Sequence, residues 1–163
     1  YKRQLLDKLQ VLRENLKTEI DNQLLEVEMR DNAILIRVDS DDSFASGSAE
    51  LRPNFVVLLS EIGQSIVGLT DSVSIEGHTD NVPIAFRENF QSNWDLSAAR
   101  ASSVASALVS QQGLEGLEYE VLGFADTVPV ASNETSQGRS QNRRIEIKMS
   151  DFNWLSETGK RNG

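Results

Sequence analysis

The sequence predicts an α/β (α+β) sandwich, a mixed β-sheet with helices packed on one face, preceded by an N-terminal amphipathic helix. Three observations predict it. Three stretches carry apolar residues at steps of three and four, and several short stretches alternate apolar with polar. The two kinds interleave as helix, hairpin, helix, strand, helix, strand, strand. The composition, 39% hydrophobic and 25% charged, is that of an ordinary globular chain.

Residues 1–22 read as the first helix, with Leu5, Leu9, Leu12, Leu16, Ile20 and Leu24 forming a narrow stripe. Such a stripe suits either packing on the chain's own domain or a connecting or dimer-forming helix. Residues 24–30 and Ala33 to Asp39 alternate around the turn signal Asp31-Asn32, which predicts a hairpin. Residues 39–43 form an acidic stretch without EF-hand spacing, so a solvated loop is expected. Pro53 opens the next helix, whose stripe is Phe55, Leu58, Leu59, Ile62, Ile66 and Leu69. A strand follows at Ser72 to Gly77, then a polar loop from His78 to about Trp94. A third helix runs from about Asp95 to Gln112 and stops at Gly113, with a small inner face of Ala101, Val104, Ala105 and Leu108. Glu118 to Gly123 is a strand and 125–141 a long loop. Arg144 to Met149 is the last strand: Ile145, Ile147 and Met149 face inward, and Arg144, Glu146 and Lys148 form a solvated face. The expected division is a linker helix at 1–22, a domain at 23–150 and a tail at 151–163, whose Phe152, Trp154 and Leu155 can dock as a short helix.

Composition excludes several functions. The net charge of −9 opposes nucleic acid as a partner, because phosphate binding needs a clustered basic surface. Without cysteine there are no disulfides or thiolate metal sites, and a single histidine, His78, rules out a multi-histidine centre. No phosphate-binding loop or nucleophile elbow occurs, so neither a cofactor nor catalysis is expected. No run reaches the roughly 18 apolar residues of a membrane helix. A chain opening on Tyr1 is expected to be part of a longer protein.

One region concentrates chemistry. Gly77-His78-Thr79-Asp80 leaves a strand end, and Asn93-Trp94-Asp95-Leu96-Ser97-Ala98-Ala99-Arg100 opens a helix. A helix N-terminus offers free N–H groups, and Arg100 in its first turns can clamp a carboxylate. Asp80 can receive an ammonium, so the two suit an amino-acid zwitterion. The plainer reading is that Asp80 and Arg100 pair with each other or with backbone.

These motifs carry a resemblance. Phe44, Gly47-Ser48-Ala49-Glu50-Leu51, Gly77-His78-Thr79-Asp80, Leu96-Ser97-Ala98-Ala99-Arg100-Ala101, Gly123-Phe124-Ala125-Asp126, Pro129, Asn133, Gly138-Arg139 and Asn142-Arg143-Arg144-Ile145-Glu146-Ile147 occur in the order of the OmpA-like peptidoglycan-binding family, over about residues 44–149. The resemblance implies that Asp80 and Arg100 hold the diaminopimelate of the stem peptide. It implies that Asn142 and Arg143 shape the pocket, and that Thr79, Asn93, Leu96 and Ser97 add contacts. His78 is expected to bond loop backbone.

The Asn81-Val82-Pro83-Ile84 loop and the Asn93-Trp94-x-Leu96-Ser97 form resemble flagellar stator B subunits, MotB and, closest, its sodium-driven counterpart PomB. That resemblance implies a homodimer and a periplasmic domain of a single-pass inner-membrane protein of a Gram-negative bacterium. It further implies a stator A subunit reached through a membrane segment outside this chain, and periplasmic ring proteins of the motor as further partners. The same family also serves outer-membrane proteins, lipoproteins and secretion systems.

Overall fold

The computed structural model describes residues 2–85 and 89–149, so the predicted tail docking by Phe152, Trp154 and Leu155 lies outside the described residues. Five strands form one sheet in the order β1-β2-β5-β3-β4: β1 (Glu26–Arg30), β2 (Ala33–Asp39), β3 (Ser72–His78), β4 (Glu118–Gly123) and β5 (Arg144–Met149). Only β3 and β4 run parallel; the other neighbours are antiparallel. The hairpin forms where predicted, with Asp31 and Asn32 both at positive φ (52° and 62°), as a two-residue turn of this twist requires.

The helices are α1 (Lys2–Asn15), α2 (Lys17–Asp21), α3 (Ser40–Ser43), α4 (Pro53–Ile66), α5 (Asn93–Val109) and α6 (Ser136–Asn142). The predicted helix over 1–22 is thus broken at Leu16. Leu5, Leu9, Leu12 and Leu16 are buried, but Leu24 is exposed and its neighbour Leu25 takes the core position. Residues 39–43, expected as a loop, contain the single helical turn α3. The expected long loop at 125–141 contains α6, which has no apolar residue to betray it; Thr135 caps it by accepting from the Gly138 N–H at 3.0 Å.

One hydrophobic core joins α1, α4 and α5 to the inward side chains of the sheet. It includes Leu12, Phe55, Leu59, Ile62, Val104 and Leu108 against Val27, Ile36, Ile75, Ile145 and Ile147. The helices therefore share one face, as the alternation predicted.

Glycines set how closely α5 approaches the strand ends. A Cβ on Gly77 would lie 2.0 Å from the Ser97 carbonyl oxygen, and one on Gly123 2.6 Å from the Ala98 nitrogen. Both obstacles are helix backbone and cannot swing aside. Gly77→Ala is expected to lower stability by about 1–3 kcal/mol through overpacking. Urea unfolding would measure it, and an unchanged midpoint would show that α5 is free to slide.

Candidate functional site

Asp80 and Arg143 are brought together by the sheet. β3 ends at His78 and β5 begins at Arg144, and these two residues are direct register partners. The residues just outside them therefore leave the same edge side by side. Arg143 Nη1 donates to Asp80 Oδ2 at 2.5 Å, while Asp80 Oδ1 accepts from the Val82 N–H at 3.0 Å. The rest of the Arg143 fork is taken by Asp41 on α3, with Nε to Oδ1 at 2.8 Å and Nη2 to Oδ2 at 2.9 Å. These bonds to Asp41 raise the guanidinium above its ordinary pKa, against the effect of burial. The same bonds from Arg143 hold the Asp41 carboxyl below the usual range, again against burial.

Arg100 does not pair with Asp80. Its Nε donates to the Ser48 carbonyl at 2.8 Å and its Nη2 to the Ala45 carbonyl at 3.2 Å, with the guanidinium 4.9 Å above the Phe44 ring. It is 6% exposed, and among the described residues no carboxylate forms an ion pair with it. Burial pulls it down to about 10, with Asp41 partly resisting. The plainer expectation is thus half met: Arg100 bonds to backbone, and Asp80 pairs with a different arginine.

Between these groups lies a cleft of about 750 Å³, lined by Thr79, Asp80, Asn93, Leu96, Arg100 and Arg143 among others. Asn93, the first residue of α5, ties the loop down by donating to the Val82 and Asp80 carbonyls at 3.0 and 3.4 Å. The Thr79 hydroxyl donates to the Asp80 carbonyl at 2.8 Å. Ser97 and Asn142 lie outside the lining. The buried Ser97 hydroxyl bonds the Trp94 carbonyl and the Ala125 N–H, which holds Ala125 at a positive φ of 52°. The Asn142 amide makes four bonds, to the Val130 N–H, the Ala131 N–H and carbonyl, and Asn133 Oδ1. Both residues brace the loop beside the cleft.

Two expectations about neighbouring residues are corrected. On the face of β5 opposite the core only Lys148 is partly exposed, whereas Arg144 is 0% and Glu146 1% exposed. Arg144 Nε donates to Glu146 at 2.8 Å and its other nitrogens to the Asn142 and Val128 carbonyls. His78 bonds carboxylates rather than loop backbone. Its Nε2 lies 3.0 Å from Glu76 and 3.5 Å from Glu146, and its ring stacks on Phe124 at 5.1 Å. Burial pushes Glu76 up, but the bonds from His78 and from Lys148, at 2.8 Å, outweigh it and hold the carboxyl low. Glu76, His78 and Glu146 are close enough to hold a metal, but Lys148, Arg144 and Arg30 already neutralise the two carboxylates.

Asp41 lines the cleft and bonds Arg143, and sequence reasoning missed it. Nothing local separates it from Asp39 and Asp42, and its partner lies 102 positions away.

The arrangement is a polar cleft at a strand-to-helix junction. Residues 43–143 match the OmpA family, and the chain belongs to it. Motility protein B of Bacillus subtilis is 36% identical over 143 residues, covering 82% of this chain and 54% of that protein. The cell wall anchor of the T6SS from Pseudomonas aeruginosa is 38% identical, with a TM-score of 0.77 over 86% of this chain and 96% of that one. A MotB-like protein from Desulfovibrio vulgaris, 24% identical, shares the fold with a TM-score of 0.81 over 92% of this chain and 98% of its own. The chain spans about half the length of the first curated relatives it matches. Among the described residues no helix is long and apolar enough to cross a membrane.

Proposed function

We propose that this chain is a non-catalytic, periplasmic peptidoglycan-binding domain that anchors a flagellar motor stator to the cell wall. The observation that carries the reading is Arg100: a buried guanidinium, unpaired by any carboxylate among the described residues, opening on a cleft that also presents Asp80. A buried cation in that state gains most from an anion arriving in the cleft. The carboxylate of a diaminopimelate zwitterion meets Arg100, and its ammonium meets Asp80. Asn93 and Leu96 shape the walls between them.

The likeness to motility protein B supports the stator assignment. In that assignment residues 1–22 link residues 23–150 to a membrane segment, residues 151–163 form a tail, and the chain works as a homodimer beside a stator A subunit. A second reading, wall anchor of a secretion system, is favoured by the identity with the T6SS anchor. The two part upstream of residue 1, where a stator subunit carries a channel-type membrane helix.

Co-sedimentation with purified sacculi tests wall binding. Asp80→Ala is expected to weaken it by about tenfold, the worth of one charge-assisted contact. Equal sedimentation of both forms would remove Asp80 from the site.

A further inference from the structure

Resting on the zwitterion reading above, we propose that Asp41 is a positioning residue of this cleft: it holds Arg143 so that Asp80 is free to exchange the arginine for an incoming ammonium.

The bonding is uneven. Arg143 gives Asp41 two parallel hydrogen bonds and gives Asp80 one. A fork engaged at two points by one carboxylate stays oriented when its third bond is lost. Were Asp80 the sole partner, an ammonium arriving there would strand a guanidinium in the cleft, and binding would have to break an ion pair outright.

Asp41 is itself anchored on several sides. It accepts from the Ser140 hydroxyl on α6 at 3.1 Å, and the backbone of its neighbour Ser40 donates to the Arg143 carbonyl at 3.0 Å. Flanking Arg143, Asn142 is fixed by its four side-chain bonds and Arg144 is sealed in the sheet. The backbone carrying Arg143 therefore cannot follow a departing ligand, and only the side chain is free to change partners. Asp39 and Asp42 are not equivalent: neither bonds Arg143, and burial followed by repulsion from Asp42, Asp41 and Glu26 pushes the Asp39 carboxyl up.

The exchange predicts a ligand-specific defect. In Asp41→Asn the arginine falls back on Asp80, so a ligand with free ammonium groups must compete with it. A ligand lacking them loses nothing. Titration of the chain with free meso-diaminopimelate and with its bis-N-acetyl derivative, followed by NMR shifts, separates the cases. The expected result is on the order of tenfold weaker binding of the free amine by Asp41→Asn. The acetylated compound should bind both proteins alike, the melting temperature should hold, and Asp41→Glu should recover part of the affinity. Undiminished amine binding by Asp41→Asn, or equal weakening toward both compounds, overturns the proposal; the second outcome makes Asp41 a purely structural residue. Failure of the unsubstituted chain to bind either compound overturns the zwitterion reading itself, and the exchange with it.

Discussion

Arg100→Ala is expected to abolish retention on sacculi, with a loss of about 2–3 kcal/mol, on the order of 30–100-fold in affinity. The physical reason is the imbalance around this side chain in the free protein. Two backbone carbonyls and the Phe44 ring hold the guanidinium, and among the described residues no carboxylate forms an ion pair with it. The chain has already met the cost of desolvating the cation, so a bound carboxylate gains nearly the full charge-assisted contact. Stability is expected to change far less than binding, because losing two carbonyl bonds is offset by removing a buried charge. Arg100→Lys separates charge from shape. An ammonium keeps the positive charge but cannot bond both the Ser48 and Ala45 carbonyls while presenting a fork, so intermediate binding is expected. Sedimentation of Arg100→Ala at the native level would end the zwitterion reading.

Arg144→Ala is expected to destabilise the fold by about 3–5 kcal/mol, the largest effect of any single substitution considered. Among the described residues Glu146 would keep the half-exposed Arg30 at 3.3 Å and the His78 ring at 3.5 Å, and the Asn142 and Val128 carbonyls would lose their donor. A buried carboxylate that has lost its main partner at the centre of a five-stranded sheet is the expensive state, rather than the absence of the pair. The double variant Arg144→Met with Glu146→Leu is therefore expected to recover much of the loss. Urea unfolding of both proteins measures this. A single-variant cost under about 1 kcal/mol, or a double variant no better than the single, would show that the pair is not what organises this face. Because Arg143 is the preceding residue, wall binding is expected to fall with Arg144→Ala as well.

The two arginines differ in how far the sequence announced them. Arg100 lies in a helix-opening motif beside a strand-end Asp80, and both features are local, so the residue and its neighbourhood could be read directly. Arg144 follows the alternation of Ile145, Ile147 and Met149 and so reads as the wet side of a strand. That inference is sound for an edge strand and fails for a central one. β5 is last in the chain but third in the sheet, and its outer face is flanked by Arg30, Glu76 and His78 from other strands. Sequence order does not carry that placement.

The sequence alone determined what local periodicity encodes: helices with apolar stripes, alternating strands, the Asp31-Asn32 turn, and the strand-end and helix-start segments that carry Asp80 and Arg100. The tertiary structure alone decided the pairings. It gave Arg143 rather than Arg100 to Asp80, recruited Asp41 from across 102 positions, turned Ser97 and Asn142 into loop braces, and buried the charged face of β5. The division follows from the range of the forces. Side-chain periodicity is set within a turn or two of the backbone. The partner of a charge is set by which distant segments the sheet order brings within a few ångströms.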